Sequence, residues 1–449
     1  MKTVPITPLE NWIRRKIGLD RVLSLTRSAI DQYQLQALNR TLDHARQNSP
    51  FYREHLAGLP QTVTGLERLT EIPFTTAEDI RRDPLALVCA SQDRIARVVT
   101  LETSGTSGTP KRLFFTTADQ ALTVDFFHHG MATLVGPDDR VLILLPGQTP
   151  GGVGDLLVRG LSRLQVEGIV HGPVQDPAAA IDHALKEKAD CLVGIPVQVL
   201  AMANHRQGQA LAGRIANVLL STDYVPEAIA ARIEKRWNCR VFKHYGMTEM
   251  GLGGGVECSA RDGYHLREAD LFVEIVDPAT GLPLADGNTG EVVFTTLTRD
   301  GMPLIRYRTG DMAAFRLDFC ACGTVLKTLG AVRARRKSML RVGRGQTLSI
   351  ADLDEHLFAL DGLIDYQARM SDHGGVDCLT LMITALQPAS LNALKAAVGE
   401  AVSAVAAVRS AVDEGRLTLN IQLADGPVAV SMGTGKRRIE DCRERNLRR

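Results

Sequence analysis

The sequence lacks the features that mark membrane proteins and nucleic-acid-binding proteins. No window of its 449 residues approaches the ~20 apolar residues that a membrane-spanning helix needs, and residues 1–5 lack the apolar core of a signal peptide. Lys and Arg (52) balance Asp and Glu (51), which gives a formal net charge of +1 and no bulk attraction to polyanions. We therefore expect a cytoplasmic protein that binds neither nucleic acid nor a membrane.

Aromatic residues are also scarce, and the cysteines do not indicate disulfide bonds. Aromatic residues make up only 5 % of the chain, so nothing indicates an aromatic cage around a substrate. The eight cysteines of a cytoplasmic chain are more often thiols or metal ligands than disulfides. There is no long internal repeat or low-complexity tract. The chain contains 45 % hydrophobic and 23 % charged residues, which is the composition of an ordinary globular enzyme.

The order of apolar and amphipathic segments predicts an α/β protein. The first eighty residues look helical, and from about residue 98 short apolar runs alternate with amphipathic stretches, which indicates largely parallel sheets. Strands are expected at 141–145, 191–195, 218–220, 379–383 and 417–423, and helices at 177–188, 226–237, 351–359 and 390–408. We predict a large N-terminal domain over 1–333, with a β-rich part at about 260–330, and a small mobile α+β domain over 334–449.

A polar loop is the most informative local feature. Residues 103–111 read T-S-G-T-S-G-T-P-K, in which glycines and hydroxyl groups could surround phosphate oxygens and Lys111 adds a positive charge. The spacing differs from that of a Walker loop, because Arg112 stands where Ser or Thr is needed. The flanks at 97–101 and 112–116 read as strands. This position favours a phosphate-binding hairpin, and a flexible polar linker is the alternative.

Two further motifs follow in the same order along the chain, H-Y-G-M-T-E at 244–249 and Y-R-T-G-D at 307–311. With the loop, they resemble the motifs of the adenylate-forming enzymes, the superfamily of acyl- and aryl-CoA ligases, luciferases and peptide-synthetase adenylation domains. Segments at 48–53, 72–81 and 435–438 make the chain most similar to the phenylacetate-CoA ligase branch. The resemblance therefore covers essentially the whole chain.

This resemblance implies an AMP-forming ligase that uses ATP, Mg²⁺, CoA and a small carboxylic acid, with an aryl or arylacetic acid as the expected substrate. The residues implied to hold the β- and γ-phosphates are Ser104, Gly105, Thr106, Ser107, Gly108 and Lys111. The Y-G-x-T-E motif would supply Tyr245 to stack on adenine, Gly246 beside it, Thr248 for the α-phosphate and Glu249 for Mg²⁺. Asp311 would accept hydrogen bonds from the ribose hydroxyls.

Lys436 would bridge the carboxylate and the phosphate during adenylation. The alternative interpretation is that Lys436 is one more solvated base in a basic tail. The hinge before the small domain departs from the pattern of the superfamily. Arg335 can be matched, but Lys337-Ser338 replaces an acidic pair. Transfer of the acyl or nucleotidyl group to an acceptor other than CoA therefore stays open. A non-catalytic nucleotide-binding or zinc-stabilised assembly protein is a further alternative, against which the retained motif residues argue.

Four residues could bind a metal. Cys258-x6-His265 and Cys320-x-Cys322 offer three thiolates and one imidazole, a set that suits tetrahedral zinc. The spacing alone leaves two interpretations equally open. The four residues form a zinc site, or they are buried thiols and a surface histidine. Similar positions occur in some relatives within the phenylacetate-CoA ligase branch, so the resemblance favours a structural Zn²⁺ that clamps the β-rich part.

Overall fold

The structure, a computed structural model, describes residues 4–20, 23–101, 109–385, 391–424 and 436–443. Its α-helices are α1 (Pro8–Lys16), α2 (Arg27–Asn48), α3 (Pro50–His55), α4 (Ala77–Arg82), α5 (Thr117–Met131), α6 (Val153–Ser162), α7 (Pro177–Lys186), α8 (Pro196–Asn204), α9 (Glu227–Trp237), α10 (Ile350–Leu357), α11 (Leu391–Ala404) and α12 (Ala406–Asp413).

Its strands are short and spread along the whole chain. They are β1 (Ile95–Leu101), β2 (Lys111–Thr116), β3 (Arg140–Ile143), β4 (Glu167–Val170), β5 (Cys191–Gly194), β6 (Asn217–Leu220), β7 (Arg240–Tyr245), β8 (Gly255–Glu257), β9 (Tyr264–Leu266), β10 (Leu271–Val276), β11 (Gly290–Thr296), β12 (Tyr307–Ala313), β13 (Thr328–Leu329), β14 (Ala334–Arg335), β15 (Leu340–Val342), β16 (Gln346–Leu348), β17 (Leu363–His373), β18 (Val376–Ala385), β19 (Leu417–Leu423) and β20 (Ile439–Asp441). The α/β prediction is confirmed.

The chain folds into two compact units that interleave along the sequence. The first comprises residues 1–138, 147–168 and 242–332, and the second comprises 139–146, 169–241 and 333–449. One of the divisions falls between Val332 and Arg333, close to the domain boundary expected at 333/334. The domain assignment itself stays a prediction.

The first unit begins with the expected helices, and these are followed by antiparallel strand pairs. Leu35, Leu38, Leu42 and Ala45 recur at helical spacing, and in α2 the last three are buried while Leu35 is half-buried. Strands β1 and β2 form a hairpin. The β-rich part contains β10, β11 and β12, which pair in that order, while β13, β9 and β8 pair in a second sheet. The expected strands at the flanks of the loop are confirmed.

The second unit contains the predicted parallel strands. Strand β5 pairs in parallel with β3 on one side and β6 on the other, and every residue of β5 and β6 is buried. Continuous apolar strands of this kind are typical of sheets covered on both faces. Helices α7 and α9 occupy the expected helical stretches, and α8, which the sequence did not reveal, lies between β5 and β6.

The C-terminal residues of the second unit form the predicted α+β arrangement. A sheet in the order β19-β18-β17-β20 combines an antiparallel β17–β18 pair with parallel partners at its two edges. Helices α10, α11 and α12 accompany it. Strand β17 was not predicted. Among the residues that the structure describes, no helix combines the length and the apolar character that a membrane span requires.

Candidate active site

The first motif begins in the last two residues of β7 and continues into the turn that follows. Strand β7 ends at Tyr245, and a Cβ on Gly246 would lie 2.2 Å from a backbone carbonyl oxygen, so the chain passes too closely there for any other residue. Thr248–Met250 then form one turn of 3₁₀-helix, which ends at Gly251 with φ +75°, a conformation that favours glycine. The turn lies next to the end of β7. It holds Thr248, which is half-buried, and Glu249, which is buried.

The second motif occupies the first part of β12. Gly310 has φ +76° and lies at a bulge where the register between β11 and β12 shifts. Its N–H donates to Glu291 Oε1 at 3.0 Å. The Thr309 hydroxyl donates to the Val292 carbonyl oxygen at 2.7 Å and accepts from the Asp311 N–H at 2.9 Å. The bulge thereby fixes the direction of the buried Asp311 carboxylate.

The two motifs meet through crossed hydrogen bonds. The Tyr245 hydroxyl of the first motif donates to Asp311 Oδ2 of the second at 3.1 Å. The Tyr307 hydroxyl of the second motif donates to Glu249 Oε1 of the first at 3.2 Å. Asp311 is 2 % and Glu249 3 % exposed, so both carboxylates depend on such donors for solvation. Tyr245 and Tyr307 also belong to one hydrophobic core cluster.

Lys111 joins the same group from the hairpin. Its Nζ forms an ion pair with Glu249 Oε1 and donates to the Tyr307 hydroxyl at 3.3 Å. Lys111 opens β2, and it pairs with Leu101 at the end of β1. The predicted loop therefore connects two antiparallel strands. Its predicted phosphate-binding residues Ser104, Gly105, Thr106, Ser107 and Gly108 lie outside the described residues.

Two buried arginines flank the turn that carries Glu249. A Cβ on Gly251 would lie 3.3 Å from Nη2 of both Arg267 and Arg299, and Arg267 Nη2 donates to the Met250 carbonyl oxygen. Burial lowers the pKa of Arg299 to about 10, although the charge of Asp119 opposes that shift. Sequence reasoning missed these cations because single arginines between motifs form no pattern.

The first unit thus brings together Lys111, Tyr245, Glu249 and Asp311 from three separate segments, and Gly246 and Thr248 lie in the same turn. The individual roles of these residues stay predictions. Tyr307 was missed as a site residue, although the signal was present, since it is the first residue of the Y-R-T-G-D motif.

Lys436 belongs to the second unit, where it is exposed. Burial raises the pKa of Asp223, and the Arg437 N–H and the Lys436 charge act against that rise. The Arg437 N–H donates to Asp223 Oδ2 at 2.9 Å. The residue next to the predicted catalytic lysine is therefore held by a buried carboxylate.

The Arg437 side chain is the centre of a buried ionic network. Its guanidinium pairs with Asp354 Oδ1 at 3.1 Å and with Asp365 Oδ1, and it lies 4.6 Å from the ring centroid of Tyr366 and 5.0 Å from that of Phe358. These carboxylates raise its pKa well above the usual value for arginine, against the effect of burial. Nothing in the basic run around 436–438 distinguished Arg437 from its neighbours in the sequence.

The predicted metal ligands converge in the first unit. The four ligand atoms of Cys258, His265, Cys320 and Cys322 all lie within 4.8 Å of one another, and all four residues are buried. Cys258 Sγ and Cys320 Sγ are 3.6 Å apart, and Cys322 Sγ is 3.5 Å from His265 Nε2. Ligands on one tetrahedral zinc, with Zn–S near 2.3 Å and Zn–N near 2.0 Å, stand about 3.5–3.8 Å apart. The cluster therefore fits that metal.

The elements around the cluster explain why it forms. Cys258 follows β8, His265 lies in β9, and Cys320 and Cys322 lie in the turn before β13, whose Thr328 pairs with His265. The hydrogen bond between the Cys258 and Cys322 sulfurs raises the pKa of Cys258 and lowers that of Cys322 to about 3. The lowered pKa favours the thiolate of Cys322, the form of cysteine that binds a metal.

Sequence comparisons relate the chain to known enzymes. The family model for AMP-binding enzymes matches residues 58–297. The chain is 29 % identical over 379 residues to the phenylacetate-coenzyme A ligase of Thermus thermophilus, covering 81 % of this chain and 83 % of that protein. It is 27 % identical to the phenylacetate-coenzyme A ligase of Escherichia coli, covering 81 % of this chain and 84 % of that protein.

Solved structures share the fold. A 2-hydroxyisobutyryl-CoA ligase, in the postadenylation state with its acyl-AMP, aligns with a TM-score of 0.79 at 20 % identity and covers 94 % of this chain and 92 % of that chain. An anthranilate CoA ligase in complex with anthranoyl-AMP aligns with a TM-score of 0.54 at 15 % identity, covering 74 % of this chain and 65 % of that chain. At these identities the likeness concerns the fold alone.

Proposed function

The chain belongs to the family of AMP-binding enzymes, whose model matches more than half of it, and from this membership we propose that it is an AMP-forming acid–CoA ligase. In the first step a carboxylate oxygen attacks the α-phosphorus of ATP, and pyrophosphate leaves. In the second step the CoA sulfur attacks the acyl carbon of the adenylate, and AMP leaves. The cytoplasm, where ATP and CoA are available, is part of this proposal.

The observation that carries the proposal is the convergence of Lys111, Glu249 and Asp311, one residue from each of the three motifs, around two tyrosines. A lysine and two carboxylates are what an adenylating site needs. The lysine neutralises phosphate charge, one carboxylate accepts hydrogen bonds from the ribose hydroxyls, and the other binds a hard cation.

In the proposed adenylation step, Lys111 and the hydroxyl-rich residues 104–108 hold the pyrophosphate that leaves. Thr248 hydrogen-bonds the α-phosphate, Asp311 accepts from the ribose, and the Tyr245 ring lies against adenine. Lys436 bridges the carboxylate and the α-phosphate. Residues 1–333 are proposed to form the adenylating domain, and 334–449 the small domain that delivers Lys436.

Glu249 is the residue that would hold Mg²⁺. Its carboxylate oxygens are the kind of ligand that this ion prefers, and the ion pair with Lys111 indicates a local need for positive charge at that carboxylate. Mg²⁺ would neutralise part of the phosphate charge of ATP. Glu249 would orient the ion, and Lys111 would then be released towards the phosphates.

The four-residue cluster would hold a structural zinc ion. The Cys258–Cys320 and Cys322–His265 distances match those of a tetrahedral site, and four protein ligands leave no position for a substrate. Such an ion would join the turn before β13 to the end of β8 and to β9, and thereby stabilise the β-rich part of the first unit.

An aryl or arylacetic acid is the proposed substrate, on the support of the curated relatives that are phenylacetate-CoA ligases. A panel of aryl, arylacetic, hydroxy and aliphatic acids, assayed for acid-dependent pyrophosphate release with ATP and CoA, tests this proposal. We expect release with at least one aromatic acid, together with AMP and the acyl-CoA as products.

A test variant and a matched control variant complete that assay. Glu249→Gln removes the proposed metal ligand and should lower the rate about 100-fold or more, whereas Glu78→Gln, at a largely exposed side chain, should leave it unchanged. Formation of ADP instead of AMP would contradict the proposal. Acid-dependent ATP–pyrophosphate exchange that CoA does not drive forward would favour transfer to another acceptor.

A further inference from the structure

The crossed hydrogen bonds between the two motifs have a consistent pattern. Each motif contains a tyrosine and ends with an acid four residues after it, Tyr245 to Glu249 and Tyr307 to Asp311. Tyr245 donates to Asp311, and Tyr307 donates to Glu249. The two hydroxyls therefore join segments that are 66 and 58 positions apart in the chain.

We propose that Tyr245 and Tyr307 are reciprocal positioning residues, each of which orients the carboxylate of the other motif through its hydroxyl group. Tyr245 orients Asp311 towards the ribose of ATP, and Tyr307 orients Glu249 towards Mg²⁺. This inference rests on the proposed function, because it uses the roles given there to the two acids. It assigns to Tyr245 a task beyond ring stacking, and to Tyr307 a task that the motif had left unexplained.

The rings are held firmly enough for this task. Tyr307 is 1 % exposed, pairs with Phe294 across β11 and β12, and lies 5.4 Å from its ring centroid. The preceding Arg306 forms two hydrogen bonds with the buried Glu274, at 3.0 and 3.1 Å. A hydroxyl on such an anchored ring is a fixed donor, and fixed donors hold a carboxylate in one direction.

Tyr245 is anchored in a comparable way. Its backbone pairs with Gly255 of β8, and its ring lies 6.0 Å from that of Tyr264. Strand β7 ends at this residue, so its side chain is set by a strand and not by a loop. The Asp311 carboxylate that it contacts comes from the bulged part of β12.

The position of Lys111 explains why Glu249 needs a donor besides the lysine. In the structure Lys111 pairs with Glu249, and the Tyr307 hydroxyl contacts both side chains, at 3.3 Å from Nζ and 3.2 Å from Oε1. When Lys111 turns towards the phosphates, its bond to Glu249 is lost. The Tyr307 hydroxyl then remains to keep the carboxylate in place for the metal ion.

Tyr245→Phe and Tyr307→Phe test the proposal, because each removes one oxygen and keeps the ring. The assay is acid-dependent ATP–pyrophosphate exchange, with ATP, 2′-deoxy-ATP and 3′-deoxy-ATP as substrates and with varied Mg²⁺. Tyr33→Phe is the matched control, since the Tyr33 hydroxyl bonds a backbone carbonyl oxygen, that of Ala269, elsewhere in the first unit.

We expect each variant to change only one of the two readouts, the nucleotide preference or the Mg²⁺ dependence. Tyr245→Phe should raise the KM for ATP about tenfold, as expected for the loss of one hydrogen bond to a charged group, and should reduce the preference for ATP over the deoxy nucleotides by a similar factor. Its Mg²⁺ dependence should not change. Tyr307→Phe should raise the Mg²⁺ concentration for half-maximal exchange about tenfold and leave the nucleotide preference unchanged.

Other outcomes would overturn the proposal. A purely structural role would lower kcat for all nucleotides together, and a general loosening would move both readouts in both variants. If the wild-type protein activates no acid, the proposed function fails, and the same variants are then compared by calorimetry for binding of ATP and deoxy-ATP with and without Mg²⁺. An uncrossed pattern there, or no nucleotide binding at all, would also reject the reciprocal arrangement.

Discussion

The Tyr245 side chain shows how one residue can be assigned correctly to a site and still be understood only in part. The motif located it beside Glu249, and the ring was expected against adenine. The hydroxyl, which donates to Asp311 at 3.1 Å, could not be inferred from the motif, because its partner lies in another segment. A local sequence motif predicts which residues belong to a site, while the direction of each polar atom depends on the tertiary structure.

His244 is a second residue whose properties come from its surroundings. Its ring lies 6.0 Å from that of Phe126 and 6.4 Å from that of Phe127. Burial, with the charge of Arg267 acting in the same direction, lowers the pKa of His244 from its ordinary value of 6.5 to about 4. At neutral pH this histidine beside the site is therefore uncharged.

We predict that His244 makes the stability of the protein sensitive to mild acid. The unfolded chain protonates this group near pH 6.5 and the folded chain only near pH 4, so its contribution is fully present above pH 6.5 and is lost as the pH falls to 4. The loss at pH 4.5 should be about 2–3 kcal/mol. Urea unfolding of the wild type and of His244→Gln at pH 7.5 and 4.5 measures it.

The variant should lose less stability than the wild type between these two pH values. His373→Gln, at an exposed position, serves as the control and should behave like the wild type. An equal loss in His244→Gln and the wild type would show that His244 does not titrate in this way.

Among the secondary-structure elements, the residues before β20 are held by unusually strong buried contacts. Arg437 pairs with Asp354 of α10 and with Asp365 of β17, and its N–H bonds Asp223. Removing one partner of a buried pair leaves an unpaired charge, which costs about 3–5 kcal/mol. The network therefore fixes the chain at Arg437, the residue that follows Lys436.

Arg437→Met should destabilise the protein by about 3–5 kcal/mol, whereas Arg438→Met, at the exposed neighbouring position, should change its stability by less than about 0.5 kcal/mol. Urea unfolding at pH 7.5 provides both values. Equal effects of the two substitutions would contradict the anchoring role of Arg437.

The metal-ligand cluster joins short elements of the first unit. Strand β13 has only two residues and pairs with the three-residue β9. Since elements this short are marginal by themselves, a metal ion shared among their loops would account for their stability.

We predict about one zinc per chain, measured by inductively coupled plasma mass spectrometry. Cys322→Ser should lower the zinc content and the melting temperature together, because zinc binding stabilises the folded state. Cys442→Ser, at an exposed cysteine outside the cluster, should change neither. A metal-free protein whose melting temperature does not respond to added zinc would contradict the site.

At the scale of the whole molecule, the sequence predicted the elements with simple patterns. Strands β3, β5 and β6 contain the apolar runs at 141–143, 191–194 and 218–220, and the sequence predicted all three. Helix α8 was missed because all its residues are buried, so it has no polar face and no periodicity. Strand β17 was missed because it carries several charged residues, among them Asp365, which pairs with Arg437 in the fold.

The interleaving of the two units was also beyond local patterns. Residues 139–146 and 169–241 group with the C-terminal residues, and 147–168 group with the N-terminal ones. Only contacts between distant segments decide such a division. For the same reason the motifs predicted the members of the site, while the reciprocal tyrosine bonds, Arg267, Arg299 and the Arg437 network needed the structure.

The central claim is that a carboxylate oxygen attacks the α-phosphorus of ATP before CoA takes the acyl group. The most direct test uses an accepted acid labelled with ¹⁸O in both carboxylate oxygens, followed by mass spectrometry of the nucleotide product. The account predicts AMP that carries one ¹⁸O atom and a thioester that retains the other. Label in orthophosphate together with ADP, or AMP without label, would contradict it.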